Sequence, residues 1–322
     1  MKATSNPVLS VVIPVYNESG SLGDLYTSLL AVLRRLQLSY EIIFVDDGST
    51  DDSAAYIGRW CDESSCVRLL RLTRNFGKEI ATTAGIHLAG GQAVLTLDAD
   101  GQHPVERIPE FVQAWQHGAK VVAGVRRSNM REGVVKRYGS KLFYTLFNRF
   151  AGAHLVPGTT DFRLIDRTVQ EDFKRITERN RITRGLIDWL GYPAVYIEFD
   201  ALPRSAGRPT YSFAKLMKLA VDSVVSLSIS PLYLTAYIGA FVLPVSLLLG
   251  LGMTVNALLR DPLRLHATGG AYLTVFILFL IGILLVSQGI IGLYLSHIHT
   301  ETQNRPLYVP DKAGSKGVTW ND

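Results

Sequence analysis

Oxygen-bearing side chains collect in three short runs: Pro14-Val15-Tyr16-Asn17-Glu18, Val45-Asp46-Asp47-Gly48-Ser49, and Leu97-Asp98-Ala99-Asp100-Gly101-Gln102. Asp98 and Asp100 are two residues apart, so on an extended chain their side chains point the same way. Gln102 has the same parity, and the three together offer oxygen ligands to one hard cation. Mg²⁺ is typically held by one or two carboxylates plus substrate phosphates, and Mn²⁺ suits the same oxygens. Neither GxGxxG nor GxxxxGK[ST] occurs, so a dinucleotide fingerprint and a P-loop are both excluded. Aspartates without a phosphate-cradling glycine loop suit a metal that carries a nucleoside diphosphate. The competing reading of a lone Asp-x-Asp is a solvated turn.

A second kind of chemistry follows. Residues 118–150 hold eight Lys or Arg and a single acid, Glu132. Arg126 and Arg127 directly follow an apolar run, which makes one of them the better candidate for a phosphate; Arg pairs with phosphate bidentately and so fixes its orientation. Solvation of the surface accounts for many of the other cations. Asp161, in Thr160-Asp161-Phe162-Arg163, could be one half of a buried pair with Arg163.

The elements that must position these groups alternate. Strand candidates are LSVVIPVY, YEIIFVDD, VRLLRLT, AVLTLDAD and KVVAGVR, with AVYIEFD later; between the first two, Leu22, Leu25, Leu29, Val32, Leu33 and Leu36 recur at helical period. Continuous apolar strands separated by helices predict an α/β fold with a mostly parallel sheet covered on both faces. Ligands of such sheets bind beyond the carboxyl ends of the strands, and the polar runs above fall at those ends.

Apolar residues make up 48% of the 322 and charged residues only 19%, which excludes a disordered chain. The apolar excess sits late. Residues 223–259 and 267–296 contain no charged side chain, and about 20 helical residues cross a hydrocarbon core. The expected organisation is a cytoplasmic domain over 1–210, an amphipathic interface helix over 211–231 and a membrane span over 232–259. A short loop over 260–270, a second span over 271–296 and a tail over 297–322 complete it. The start of the sequence, MKATSNPVLS, lacks the apolar run of a signal peptide. Basic residues flank the hairpin, so both ends are expected in the cytosol, with the protein at the cytoplasmic membrane. The net charge of +5 fits anionic partners such as nucleotide, phosphate or membrane surface, and no nucleic acid is expected. Cys61 and Cys66 are the only cysteines, too few for a disulfide framework or a zinc site.

Taken in order, PVYNE, VDDGSTDDS, LTRNFGKE and LDADGQHP resemble the family-2 glycosyltransferases of GT-A fold. GTTDFRLIDR, RSAGRPTYSFAKL and the hairpin narrow the resemblance to polyprenyl-phosphate glycosyltransferases, such as dolichyl-phosphate mannose synthases and bactoprenol glucosyltransferases. The likeness runs from about residue 8 to 308.

The resemblance implies transfer of a sugar, with inversion, from a nucleotide sugar to polyprenyl phosphate, with a UDP-hexose such as UDP-glucose as the preferred donor and undecaprenyl phosphate as the acceptor. It assigns the donor to Pro14, Tyr16, Glu18, Asp46, Asp47, Lys78 and Asp98, and Mg²⁺ or Mn²⁺ to Asp98, Asp100 and Gln102. Asp161 takes the place of the catalytic carboxylate. The acceptor phosphate falls to Arg126, Arg127, Arg137 and Arg204. A homo-oligomer is implied as well. The sequence departs from the pattern at Gly101 and His103, at Pro209 and Thr210, and at Leu293 and His297. The rival readings are a processive polysaccharide synthase, which would need a Gln-x-x-Arg-Trp motif after Asp100, and a catalytically silent membrane tether.

Overall fold

The computed structural model describes residues 7–127, 158–179, 181–200 and 269–320. Arg137, Arg204, the proposed interface helix and the proposed first span lie outside these residues.

The amino-terminal part alternates as its pattern predicts: β1 (Leu9–Val15), α1 (Leu22–Arg35), β2 (Tyr40–Asp46), α2 (Ser53–Glu63), β3 (Val67–Arg71), α3 (Lys78–Leu88), β4 (Ala93–Thr96), α4 (Ile108–Gln116) and β5 (Val121–Arg126). Then come β6 (Thr159–Asp166), α5 (Arg167–Lys174), α6 (Thr183–Trp189) and β7 (Ala194–Phe199). The seven strands form one sheet in the order β3-β2-β1-β4-β6-β5-β7. Pairings are parallel except along β6, which runs antiparallel to both β4 and β5.

Strand β6 was not among the sequence candidates, and it decides the site. Because it runs against its neighbours, its first residues, Thr159 to Asp161, lie at the sheet edge where the parallel strands end. Side chains alternate along it. Phe162 and Leu164 enter the core on the α1, α2 and α4 side, while Ile165 enters the core on the α3, α5 and α6 side. Asp161 and Arg163 share the parity of Ile165, so both face the layer to which α3 and α6 belong.

Helix α3 approaches β1 closely because Gly85 lets it. A Cβ added there would stand 2.3 Å from Cγ1 of Val12 and 3.0 Å from Cγ2 of Val45. That close fit fixes the start of α3, and with it Lys78.

Residues 305–320 return to this domain instead of forming a separate tail. Lys316 exchanges backbone hydrogen bonds with Leu69 at 2.9 Å in both directions. The Thr73 N–H donates to Val309 O at 3.0 Å and the Asp311 N–H to Arg71 O at 2.8 Å. Tyr308 and Trp320 pack on the core, and Lys316 Nζ pairs with Asp62 at 2.6 Å. The edge of β3, which would otherwise present unpaired backbone groups, is thereby covered.

The second unit, 149–152 with 211–304, is described only through α7 (Gly269–Thr302), a helix of 34 residues. At 1.5 Å per residue it is about 50 Å long, and it continues past the 296 boundary drawn from the sequence. Among the described residues no helix is long and apolar enough to cross a membrane; several α7 side chains and all of 201–268 fall outside them.

Candidate active site

Lys78 organises the site. Its Nζ lies 2.7 Å from Asp98 Oδ1 and 2.6 Å from Asp161 Oδ2. Burial opposes the ammonium charge, but the two carboxylates overcome it and push the Lys78 pKa above the ordinary lysine value. Burial likewise works to raise the Asp161 pKa; the Lys78 ammonium outweighs it and holds Asp161 below the usual carboxylate range. Asp161 is therefore ionised at neutral pH and aimed at the pocket, not at Arg163.

Arg163 is paired elsewhere. It is only 2% exposed and grips Asp188 of α6 through both oxygens, at 2.6 and 3.1 Å. The alternative pairing of Asp161 with Arg163 is thus excluded. The strand start itself is pinned by Thr96, whose hydroxyl donates to Asp161 O at 2.6 Å.

The Asp-x-Asp run is a turn, which corrects the extended geometry expected of it. β4 ends at Thr96, Gly101 has a φ of 72°, and Asp100 Oδ1 accepts the Gln102 N–H at 3.1 Å. A positive φ of this kind suits glycine because no Cβ is present to clash. Asp98 and Gln102 line the pocket and Asp100 does not. Among the described residues no group of three or more His, Cys, Asp or Glu could hold a metal. Hard oxygen donors of this kind suit a divalent ion that also takes substrate phosphates.

His103, noted in the sequence only as a departure, supports this turn from beneath. It is 6% exposed, accepts the Asp98 N–H on Nδ1 at 3.1 Å, and stacks on Phe162 with ring centres 5.2 Å apart. Burial lowers its pKa despite the nearby carboxylates, so it serves as a neutral acceptor.

Asp46 and Asp47 are both buried. Asp46 is fully buried, with Oδ1 accepting the Ser49 N–H at 3.0 Å and Oδ2 lying 3.3 Å from Arg71 Nε without hydrogen-bond geometry. Asp47 accepts the N–H groups of Phe76 at 2.7 Å and Gly77 at 2.8 Å, and burial raises its pKa. These carboxylates shape the loops around the sheet edge. Asn17, Glu18 and Ser19 tie the first loop to the second through Ser49, Ser53 and Asp51 at 3.0 to 3.1 Å. Pro14 closes β1 beside them, Glu18 accepts the Ser21 hydroxyl at 2.9 Å, and Tyr16 is 46% exposed.

A pocket of about 180 Å³ opens at this edge. It is lined by Asp98, Gln102 and Asp161, by Arg126, Thr159, Thr160 and Arg184, and by His103 and Phe199. Arg126 is among the lining residues. Arg127 is not: it pairs with Glu198 at 3.1 Å and Asp200 at 3.7 Å. Arg184 was missed, since RNRITRG reads in sequence as an ordinary solvated basic run.

Residues 10–173 match the model of glycosyl transferase family 2. The chain belongs to glycosyltransferase family 2. An uncharacterized glycosyltransferase of Synechocystis sp. is 40% identical to this glycosyltransferase, and the match covers 94% of each chain. An SfII prophage-derived bactoprenol glucosyl transferase of Shigella flexneri is 35% identical over 95% of this chain and 98% of its own. An uncharacterized glycosyltransferase of Bacillus subtilis is 34% identical over 94% and 93%. The matched segment contains Asp98, Asp161 and Lys78 but ends before Arg184, so the pocket is completed by α6, beyond the family segment.

Proposed function

We propose that this glycosyltransferase moves a hexose, glucose foremost, from a UDP-sugar to a polyprenyl phosphate at the cytoplasmic face of a membrane. The observation that carries the reading is the pocket itself. It sets the Asp98–Lys78–Asp161 cluster, suited to a donor diphosphate, against arginines suited to an anionic acceptor. Near full-length likeness to a bactoprenol glucosyl transferase supports the choice of lipid acceptor.

The proposed step is one in-line displacement. An oxygen of the lipid phosphate forms a bond to the anomeric carbon as the bond from that carbon to the nucleoside diphosphate breaks, and the electron pair leaves with the diphosphate. A phosphate monoester has a second pKa near 6, so much of the acceptor is a dianion at neutral pH and needs little general-base help. Asp161 orients the acceptor, accepting a hydrogen bond from its P–OH when one proton remains. Lys78 keeps Asp161 ionised and balances the charge beside it. The oxygens of Asp98, Asp100 and Gln102 would hold Mg²⁺ or Mn²⁺, which supplies charge stabilisation to the departing diphosphate.

Two charge-free stretches support a membrane hairpin over 232–259 and 271–296, with 211–231 lying in the interface. Residues 7–200 and 305–320 belong to one folded unit, so a segment between them that enters the bilayer must cross it an even number of times.

The test uses purified full-length protein, undecaprenyl phosphate and a panel of radiolabelled nucleotide sugars, each with Mg²⁺, Mn²⁺ or EDTA. Metal-dependent movement of label from one UDP-sugar into the organic phase is expected, with loss of transfer in Asp100→Asn. Transfer that survives EDTA and Asp100→Asn undiminished would remove the metal from the scheme. Absence of transfer from every donor would sink the function.

A further inference from the structure

Arg184 belongs to no motif on which the functional reading rests, yet the fold takes trouble to place it. It lies in the first turn of α6, seven residues long, and that helix is locked from three directions. Arg163 reaches from β6 to bind Asp188 through both oxygens, and its NH1 also donates to the Arg184 carbonyl at 3.4 Å. Glu79 of α3 accepts the Thr183 N–H at 2.8 Å. Gly185, Leu186 and Ile187 are buried beneath. A buried, doubly bonded arginine is expensive to desolvate, and here it fixes the backbone that carries Arg184.

The carboxylates near Arg184 are already engaged. Asp161 pairs with Lys78, and Asp188 pairs with Arg163. Arg184 is felt electrostatically by Asp161 and lines the pocket together with Arg126. Two arginines, Arg126 and Arg184, and two carboxylates, Asp98 and Asp161, line the pocket, and Lys78 pairs with both carboxylates. That leaves the two guanidiniums to meet an anion. At about 180 Å³ the pocket is smaller than the roughly 300–1,000 Å³ of a site for a whole drug-sized ligand, which suits a single phosphate group.

We propose that Arg184, with Arg126, binds the phosphate of the acceptor, and that the Arg163–Asp188 pair is the positioning device that holds it there. This rests on the proposed lipid-phosphate acceptor. The shared chemistry is a phosphate monoester, and the experiment separates a lipid headgroup from free phosphate.

Full-length wild type, Arg184→Ala and Arg184→Lys, each checked by thermal melt, are reconstituted in nanodiscs. Binding of undecaprenyl phosphate, inorganic phosphate and UDP is measured for each, together with the KM values for lipid and UDP-sugar. Arg184→Ala is expected to weaken the lipid phosphate at least tenfold while UDP affinity and donor KM stay within twofold. Arg184→Lys should fall between, because an ammonium keeps the charge and loses the bidentate fork. Weakened UDP with unchanged lipid binding would overturn the assignment, as would weakened inorganic phosphate alone or no change at all. Should Arg184→Ala fail to fold, the lysine variant decides by the same split. Wild type that binds the lipid phosphate yet transfers no sugar would sink the functional reading while leaving the binding comparison readable. Wild type that binds no lipid phosphate would sink both.

Discussion

Lys78 and Asp161 are 83 residues apart in sequence, and their charged atoms meet at 2.6 Å. The contact exists because α3 begins and β6 begins at the same edge of the sheet. Replacing the ammonium by an apolar chain of similar length, Lys78→Met, leaves two carboxylates without their shared cation. Transfer is expected to fall at least a hundredfold. The sign of the pH effect follows from the cause. With Lys78 present, Asp161 stays ionised well into the acid range; without it, burial raises its pKa. The acid limb of the residual pH–rate profile should therefore move to higher pH. An unmoved limb would show that Asp161 ionisation does not limit the reaction.

The Arg163–Asp188 pair makes a separate prediction about stability. Breaking a buried pair by removing one partner typically costs about 3–5 kcal/mol. Asp188→Asn should lower the melting temperature markedly, and Arg163→Met, which removes the buried charge itself, should cost less. Equal losses in denaturant unfolding would contradict the view that the stranded guanidinium is what hurts.

Gly85→Ala should be among the most damaging small substitutions. Its new methyl would meet Val12 at 2.3 Å, and overpacking of this kind typically costs about 1–3 kcal/mol. Gly85→Ala with Val12→Ala should recover part of the loss, because the clashing atom is gone. No recovery in the double variant would place the strain elsewhere.

His87 gives a stability signal at mild acidity. Burial, with help from Arg181 and Lys174, lowers its pKa from 6.5 to about 4, and its Nε2 is buried without a hydrogen-bond partner among the described residues. A histidine held neutral in the fold contributes stability that is complete above pH 6.5 and is lost as pH falls from there toward 4. The loss approaches about 3 kcal/mol at most. His87→Phe, which keeps the ring contacts with Phe173 and Tyr308, should flatten the dependence. Melting curves between these pH values test it, and an equally steep slope in the variant would assign the effect to other groups.

Hydrophobic patterning alone located β1 to β5 and β7 and the helix between the first two strands; β1 to β5 stand out because strands buried on both faces must be continuously apolar. The same logic located the polar runs at strand ends and the apolar excess near the carboxyl terminus. The Asp98 and Asp161 motifs were equally legible. Three features were decided only in space. Strand β6 carries Arg163 where a buried strand usually has an apolar residue, so its sequence hides it; only the folded sheet supplies Asp188 to neutralise that charge. Asp46 and Asp47 sit at the end of an apolar run in sequence; in the fold both are buried, Asp46 against the Ser49 N–H and Asp47 against the N–H groups of Phe76 and Gly77. Arg184 and the strap over 305–320 gain meaning from partners that are distant along the chain. Spacing reports which side chains share a strand or a helix. The seating of α3 on β1 and β2, which helps bring Lys78 beside Asp161, depends on a glycine contact that no local pattern encodes.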